Sequence, residues 1–388
     1  MSLGFEQLES RRGKAAYAKE RLEVRFRIGE SRQAALVKQV AATHIKDKLV
    51  PPSKMRLWAP TGDVVRISYS PEDLAGILVH PHALGQLCGV AGIPKLYVNR
   101  LIRGEEWERD LFETNLTTLF THGRFLDRAH NPTKFLHRLV GDGDTLELRG
   151  FLSRNFNRHL ASLPLLRGFV TACRKVGALP IEASSSSVRF SLKCFLPYVF
   201  EPVDGEFVAF GATWSNSDFG AGRLKVAMSI MRVSSGTTSV LEDAMSRVHI
   251  GSVIQDSDLE ISDETAAKEV DTQVSAIQDA VCSQLSPKPV ERLLEALEKA
   301  AEAKVPWDRL RSEIQRVLQK HEVADVKAML ESGIDDIVDL PPPGRDESGK
   351  PIATRWWASN TLGWLASKEQ NPDRKDELQS LAGTLLKI

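Results

Sequence analysis

The chain has 388 residues, of which 42% are hydrophobic and 26% are charged. These values are ordinary for folded proteins, so they exclude a wholly disordered chain and a fibrous repeat. No run of about 18 apolar residues is present and the first residues lack the apolar stretch of a secretion signal, so we expect a soluble, cytoplasmic protein without membrane contact. The four cysteines lie far apart without a CxxC spacing, which argues against a disulfide framework or a zinc site.

The formal net charge is zero, but the charges are unevenly spread along the chain. Residues 1–60 hold 13 lysines and arginines against 6 acidic residues, a net charge of +7. Residues 255–346 hold 11 against 21, a net charge of −10. This asymmetry indicates a basic body that meets an anionic partner. The acidic appendage either competes for the same surface or serves solubility.

Residues 1–60 are predicted to form a basic N-terminal arm and a helix. The first residues are charged and poorly periodic, which is typical of an arm or a short helix, and a strand is expected over Leu22–Ile28. Apolar residues at helical spacing over residues 31–49, after a Ser31 cap and before Pro51, predict a helix.

Residues 61–254 are predicted to form an α+β core domain. A strand is expected over Val64–Tyr69. Ser70-Pro71, followed by two carboxylates, has the composition of a helix start. The chain from there to about residue 140 is expected to be mainly helical.

The middle of the chain changes to the two-residue period of half-buried strands. Strands are predicted over residues 187–195, 206–214 and 222–233, with apolar residues on one face and basic residues on the other. The turn-forming residues SNSDFGA between the last two strands predict an antiparallel hairpin. Asn216 is expected to hold this turn and not to contact a ligand.

The last third of the chain is predicted to be helical. In an acidic region over residues 255–340, apolar stripes at 289–303 and 307–321 predict two packed helices. A linker is expected over residues 341–351, followed by a helical segment rich in tryptophan over 352–388. The predicted fold class is α+β, with an antiparallel sheet, flanking helices and a mainly helical acidic C-terminal region.

Basic and aromatic residues in the middle of the chain suit nucleic-acid binding. Residues 149–232 hold 11 lysines and arginines against 5 acidic residues. Arg154 and Arg158 are four residues apart and would share one face of a helix, with Phe156 available for base stacking. The predicted nucleic-acid-binding residues are Arg149, Arg154, Phe156, Arg158, Arg189, Lys193, Trp214, Arg223, Lys225 and Arg232. Charges that alternate with apolar residues are also the ordinary outer face of a sheet, and this alternative stays open.

No catalytic or metal-binding motif is found in the sequence. Neither a GxSxG nucleophile nor a HExxH metal pair occurs. The glycines and lysine from Gly344 to Lys350 have the spacing of a phosphate-binding loop, but Pro351 stands where that loop needs a hydroxyl and a backbone N–H. The sequence therefore predicts a protein that is not an enzyme and that carries no cofactor and no metal ion.

Four segments over about residues 60–260 carry a resemblance to a known family. The segments are Arg149 to Phe156, Gly211 to Gly220, Met231 to Gly236 and Arg247 to Gly251. In order and rough spacing they resemble a phage and plasmid protein family of unknown function, which shows FLSxR, NSExG and RxxHxG elements. Asp218 replaces the usual glutamate of the second element. The alternation of a basic hairpin sheet with helices is also similar, in architecture, to the single-strand annealing proteins of the Redβ and Erf type.

Two function hypotheses from different classes follow. The first is a single-stranded nucleic-acid-binding accessory protein of phage or plasmid recombination or replication, acting as an oligomer in the cytoplasm of a bacterial host cell. The second is a non-enzymatic interaction or structural phage protein, such as a host-defence antagonist or a virion component, with a phage or host protein as its partner. Phosphate contacts make binding dependent on salt, so the salt dependence of nucleic-acid binding separates the two.

Overall fold

The structure is a computed structural model, and it describes most of the chain. The described residues are 3–9, 14–70, 72–122, 125, 133–154, 156, 160–247, 262–306, 312, 344–345, 351–369 and 372–386. The helices are α1 (Leu3–Leu8), α2 (Lys14–Ala42), α3 (Pro81–Ala91), α4 (Lys95–Arg103), α5 (Glu106–His122), α6 (Ser162–Lys175), α7 (Asp263–Gln284), α8 (Pro287–Glu302), α9 (Arg355–Lys368) and α10 (Pro372–Leu385). The strands are β1 (Ile45–Val50), β2 (Arg56–Thr61), β3 (Val64–Ser68), β4 (Ile77–Val79), β5 (Phe135–Val140), β6 (Glu147–Ser153), β7 (Leu179–Ser185), β8 (Phe190–Phe195), β9 (Phe200–Val203), β10 (Glu206–Asn216), β11 (Leu224–Arg232), β12 (Thr238–Arg247), β13 (Lys304–Pro306), β14 (Gly344–Arg345) and β15 (Pro351–Thr354).

The first sheet has six strands in the order β1-β5-β6-β4-β3-β2. Neighbouring strands are antiparallel except β4 and β6, which run parallel. Helices α3, α4 and α5 supply the rest of its core, where Leu57 and Leu148 of the strands share a cluster with Leu87 and Phe112 of the helices. Because side chains alternate between the two faces of a strand, the apolar residues of these strands gather on one face.

The second sheet is antiparallel throughout, with the order β12-β11-β10-β8-β7 and with β9 beside β10. Its first face is apolar and shares one core with α6, α7 and α8. Trp214 stands at the centre of this face, paired with Leu192 on β8 and with Val226 on β11. These strands pack a large apolar surface against helices, which is the usual arrangement of an α+β domain.

Helix α2 crosses the edge strand β7 and reaches both faces of the second sheet. Its first half packs Leu22 against Phe195 on the second face, and its second half brings Leu36 into the core of the first face. Gly29 stands at the crossing, where a Cβ atom would lie 2.0 Å from the carbonyl oxygen of Pro180. Only a residue without a side chain fits this close approach of two backbones.

Helices α9 and α10 form a hairpin on the second face of the second sheet, beside α2. The hairpin has its own apolar core, which includes Trp357, Leu362 and Leu381. It meets β12 closely at Gly383, where a Cβ atom would lie 1.8 Å from the carbonyl oxygen of Val240. A small third sheet in the order β13-β15-β14 comes before α9.

The strand predicted over Leu22–Ile28 is wrong, because these residues lie within α2. Val24, Phe26 and Ile28 alternate with two arginines and so imitate a half-buried strand. Of these three apolar residues, only Phe26 is buried in the helix, while Val24 and Ile28 are 44% and 46% exposed. The length of the surrounding helix decides the local conformation, and the alternation does not.

Two further predicted helices differ in the structure: one is shorter than predicted and the other is replaced by a turn. The helix expected over residues 31–49 stops at Ala42, and its last predicted residues form β1, which pairs with β5. The helix expected after Ser70 is replaced by a turn, since the side chain of Asp73 accepts a hydrogen bond of 2.9 Å from the backbone N–H of Gly76, whose φ is 57°. Local bonds of this kind compete with a helix start.

The predicted core strands and the α+β fold class are confirmed. Strands β3, β8, β10 and β11 fall where they were predicted, and β10 and β11 form the expected antiparallel hairpin. The helices expected at 289–303 and in the tryptophan-rich segment are α8 and α9. The boundary predicted at residue 60 falls inside the first sheet, because β1 and β2 belong to it. The helix predicted at 307–321 and most of the linker at 341–351 lie outside the described residues.

Candidate nucleic-acid interface

Lys193 was predicted to lie on an exposed basic face, but it is buried beneath the C-terminal hairpin. Only 1% of the residue is exposed. Its ammonium group lies 3.1 Å from a carboxylate oxygen of Glu182 on β7 and 3.8 Å from one of Asp376 on α10, and it donates a hydrogen bond to the side-chain oxygen of Gln379. A buried charge needs such partners. The prediction that Lys193 contacts phosphates on an open surface is therefore wrong.

Glu182 is the centre of this buried ionic network. It pairs with Lys193 of the sheet and with Lys375 of the hairpin. Burial alone would raise the pKa of Glu182, but the two ammonium groups outweigh burial and lower its pKa from 4.5 to about 2. The network therefore joins β7 and β8 to α10 by charge.

The part of the second face beneath the α9–α10 hairpin also carries small hydroxyl side chains, whereas the part beneath α2 is apolar. Thr213 and Ser229 form a hydrogen bond of 2.6 Å between neighbouring strands. Ser239 of β12 bonds to Ser359 of α9 at 3.2 Å, and Lys225 donates to Ser380 of α10 at 3.5 Å. This part of the face is polar, as its sequence predicts, but it is covered by helices.

Trp214 and Arg232 are also placed where they cannot meet a nucleic acid. Trp214 is fully buried in the apolar core of the second sheet, so its ring has no face free for base stacking. Arg232 is 9% exposed and forms an ion pair with Glu206 of the neighbouring strand. The predicted binding roles of these two residues are wrong.

The described part of the segment from Arg149 to Arg158 is strand β6 up to Ser153 and a turn at Arg154, while most of the stretch for which a helical face was expected lies outside the described residues. Arg154 is exposed in the turn after β6, about 16 Å along the chain from Arg149 within the strand. Phe156 is half-buried, and its ring centre lies 5.6 Å from the guanidinium carbon of Arg138. Arg158 lies outside the described residues.

Asn216, which was expected to hold the turn between β10 and β11, is the last residue of β10, and the bonds of its side-chain amide tie this strand to the start of α6. Asn216 is fully buried, and its amide donates to the hydroxyl of Ser162 at 3.0 Å and to the carbonyl oxygen of Leu160 at 3.4 Å. The next residue, Ser217, donates to the carbonyl oxygen of Val188 at 2.6 Å. Asn216 ends β10 and Ser217 follows it, and their side chains fix the neighbouring loops.

Asp218 and Phe219, which follow Ser217, connect the two sheets. The carbonyl oxygen of Asp218 accepts a hydrogen bond of 2.6 Å from Arg138 on β5. The carbonyl oxygen of Phe219 lies 3.0 Å from Nε2 of His82 and accepts a hydrogen bond of 2.9 Å from Gln86, both on α3. Burial raises the pKa of the Asp218 carboxyl group. The segment that resembles the NSExG element is thus a structural joint.

Three of the predicted binding residues come together at this joint. Arg149 is the third residue of β6 in the first sheet, while Arg189 and Arg223 directly precede β8 and β11 of the second sheet. Histidines and a lysine from α3 and α4 lie next to them. We name this surface the junction patch, formed by His80, His82, Lys95, Arg149, Arg189 and Arg223.

The turn between β7 and β8 links the first half of the junction patch. Nη1 of Arg149 donates to the carbonyl oxygen of Ser187 at 3.2 Å, and Nε2 of His80 lies 2.7 Å from the hydroxyl of the same serine. Arg149 also forms an ion pair of 2.7 Å with Glu147. Ser187 itself is exposed.

Arg189 and Arg223 form the second half of the junction patch. A Cβ atom at Gly222 would lie 3.9 Å from the guanidinium carbon of Arg189, and Gly222 directly precedes Arg223. Arg189 donates to the hydroxyl of Ser215 at 3.3 Å and lies 3.8 Å from Asp376. Arg223 is exposed.

His80 is a neutral member of the junction patch. It caps α3, and its Nδ1 accepts a hydrogen bond of 3.1 Å from the backbone N–H of His82, so Nε2 carries the ring's proton. Burial lowers the pKa of His80, Glu147 opposes this effect, and the charges of Arg149 and Lys95 lower the pKa further. At neutral pH His80 therefore adds no positive charge to the patch.

A buried histidine on β5 was missed by the sequence analysis. His137 is fully buried, and its Nδ1 lies 2.7 Å from the hydroxyl of Tyr69, whose ring centre is 4.2 Å from the ammonium group of Lys48. Burial, and to a lesser degree the charge of Lys48, lower the pKa of His137 to about 3. A histidine in an alternating strand gives no sign of its burial in the sequence, and here it is an uncharged core residue.

No family model, curated protein or solved structure matches the chain. Among the helices that the structure describes, none is long and apolar enough to cross a membrane. Within the same described residues, no group of three or more histidine, cysteine, aspartate or glutamate side chains is arranged to hold a metal ion. The junction patch therefore has to be interpreted from its own charges and contacts.

Proposed function

We propose that the protein binds single-stranded nucleic acid through the junction patch, as an accessory protein of phage or plasmid recombination or replication. The observation that carries the proposal is a chain of neighbouring cations at the joint of the two sheets. Lys95 and Arg149 both lie near His80, and Arg149 donates to the carbonyl oxygen of Ser187, two residues before Arg189. Arg223 follows Gly222, which lies beside the guanidinium of Arg189. Arginine and lysine side chains supply most protein contacts to phosphate oxygens.

The charge balance of the patch favours an anionic ligand. Glu147 and Asp376 lie beside Arg149 and Arg189, and each offsets one positive charge. Lys95 and Arg223 are exposed and form no ion pair within the part of the chain that the structure describes. These two cations are the ones available to phosphates, while Arg149 and Arg189 are held in position by their partners.

Neutral hydrogen-bond donors accompany the cations. Ser187 is exposed; its hydroxyl lies 2.7 Å from Nε2 of His80, and its carbonyl oxygen accepts a hydrogen bond from Arg149. Hydroxyl groups and arginines together are typical of surfaces that follow a phosphate backbone without reading its sequence. The role in recombination or replication rests on the family resemblance of the surrounding segments.

The test is fluorescence anisotropy of a labelled single-stranded oligonucleotide titrated with the protein at several salt concentrations. The variant Lys95→Ala/Arg223→Ala removes the two exposed cations and leaves the buried contacts intact. We expect its affinity to fall at least about tenfold and the slope of log K against log salt to become shallower by about 1.4, since each phosphate contact on a single strand contributes about 0.7.

Arg27→Ala, which removes an exposed arginine of α2, is the matched control and should bind like the unchanged protein. Arg154→Ala tests whether the segment after β6 also contributes. Absence of salt-dependent binding at low salt would refute the proposal, as would an equal loss of affinity in the Arg27→Ala variant. The first result would favour the second hypothesis, a protein-interaction role, whereas the second would show that the junction patch is not the specific binding surface.

A further inference from the structure

An exposed apolar surface lies on α4 and α5, away from the core of the first sheet. Leu96 and Trp107 are 82% and 65% exposed, and Tyr97 and Leu111 are 40% and 37% exposed. We name these four residues the α4–α5 surface. Large apolar side chains that are exposed together usually mark a place where another molecule binds.

Tyr97, Trp107 and Leu111 lie together on one side of the two helices, and Leu96 precedes Tyr97 in α4. Trp107 and Leu111 are four residues apart, so they lie on the same side of α5. Tyr97 lies between the two helices, because the amide of Asn115 is 3.5 Å from its hydroxyl. The opposite sides of the helices, with Phe112 among them, are buried in the core of the first sheet.

The charges on the two sides of the α4–α5 surface are opposite. Helix α4 carries Lys95, Arg100 and Arg103 and no acidic residue. The first turns of α5 carry Glu106 and Asp110, both exposed. Asp110 is three residues from Trp107, on the side of α5 that faces away from α4. The apolar centre therefore has a basic border on one side and an acidic border on the other.

We infer that the α4–α5 surface binds a second copy of this chain about a twofold axis. In such a dimer the same surface is used by both copies, and the basic border of each copy meets the acidic border of the other. Trp107 and Tyr97 would be buried at the centre, where tryptophan, tyrosine and arginine contribute most to binding. The charges of the surface are thus complementary to those of a second copy.

The acidic border argues against a nucleic acid at this surface. A phosphate backbone stacked along Trp107 would lie beside the carboxylates of Glu106 and Asp110, which repel it. Lys95 belongs both to the junction patch and to the basic border of α4, so the tests of the dimer use Arg100, Trp107 and Asp110, which lie outside the junction patch.

The first test is sedimentation equilibrium of the full chain over roughly 1 to 100 μM, a range that resolves micromolar dissociation constants. We expect a reversible dimer whose dissociation constant rises at least about 30-fold in Trp107→Ala. Tyr17→Ala is the matched control, since Tyr17 is 64% exposed on α2. It should leave the dimer unchanged, and circular dichroism should be the same for all three proteins.

The second test exchanges charges between the two borders. Arg100→Glu and Asp110→Arg should each weaken the dimer, while the double variant should restore it, because the contact occurs between copies. A chain that stays monomeric at every concentration overturns the inference. So does a Trp107→Ala variant that keeps the dimer but loses oligonucleotide binding, since that result would assign base stacking to this surface.

Discussion

The two faces of the second sheet are both buried, but by opposite means. The first face buries Trp214, Leu192 and Val226 against apolar helices, where each side chain is stabilised by removal from water. The second face buries Lys193 and hydroxyl side chains against the α9–α10 hairpin, where each polar group depends on a particular partner. The comparison shows that the polarity of a strand face does not decide whether the face is exposed.

The two kinds of burial differ in how much error they tolerate. Apolar contact is non-directional, so the first face can lose one contact and keep the rest. When one polar side chain of the second face is replaced, a hydrogen bond is lost and the remaining partner is left unsatisfied in a buried site. Replacing both partners together avoids this cost. Two substitutions and a change of pH should sharpen this difference.

Trp214→Ala should have the largest effect, because it removes a fully buried ring from the centre of the first face. We expect a loss of about 3 to 5 kcal/mol in the free energy of unfolding. Urea denaturation followed by circular dichroism measures this change. Trp214→Phe keeps most of the volume and should cost clearly less; equal losses in the two variants would show that the cavity is not the cause.

Lys193→Ala should cost about 2 to 3 kcal/mol, because it leaves Glu182 and Gln379 without their shared partner in a buried site. Glu182 keeps Lys375, which limits the loss. In the double variant Lys193→Met/Glu182→Gln we expect stability to return to near that of the unchanged protein, since neither charge is then buried. Thermal and urea denaturation compare the three proteins, and a double variant no better than the single one would contradict this account.

Lowering the pH should reduce the stability of the packing on the second face more than that on the first face. The pKa of Glu182 is about 2 in the folded chain and 4.5 as the reference value, so the unfolded chain binds the proton first. The stabilisation from this group is complete above about pH 4.5 and is lost as the pH falls towards about 2; at about pH 4 the loss is roughly 1 kcal/mol. The urea midpoint of Lys193→Met/Glu182→Gln should lack this part of the pH dependence.

The sequence predicts well those elements whose pattern is set by one packed face. Residues 206–214 and 222–233 were recognised as paired strands because their apolar residues alternate and a turn-forming segment separates them. The residues of Leu22–Ile28 were misassigned because two arginines happen to alternate with apolar residues over a single helical stretch. A short window cannot tell the two periods apart.

The candidate site was less predictable than the fold. The alternation around Lys193 and Lys225 correctly shows a polar face, but nothing in those strands shows that α10 will cover it, since α10 lies more than a hundred residues further along the chain. The junction patch has the same difficulty. Arg149 and Arg223 were selected for their charge, whereas Lys95 and His80 could only be added once the two sheets were placed together.

The crossing of α2 over β7 has a consequence for self-assembly. An open edge strand offers unpaired backbone groups to any other extended chain, and this is how many sheets begin to form fibrils. Gly29 brings the helix backbone against Pro180, which itself has no N–H to offer, and Gln39 bonds to Ser185 further along the same edge at 2.8 Å. A side chain at position 29 would lift the helix and leave this edge open to amyloid-like addition.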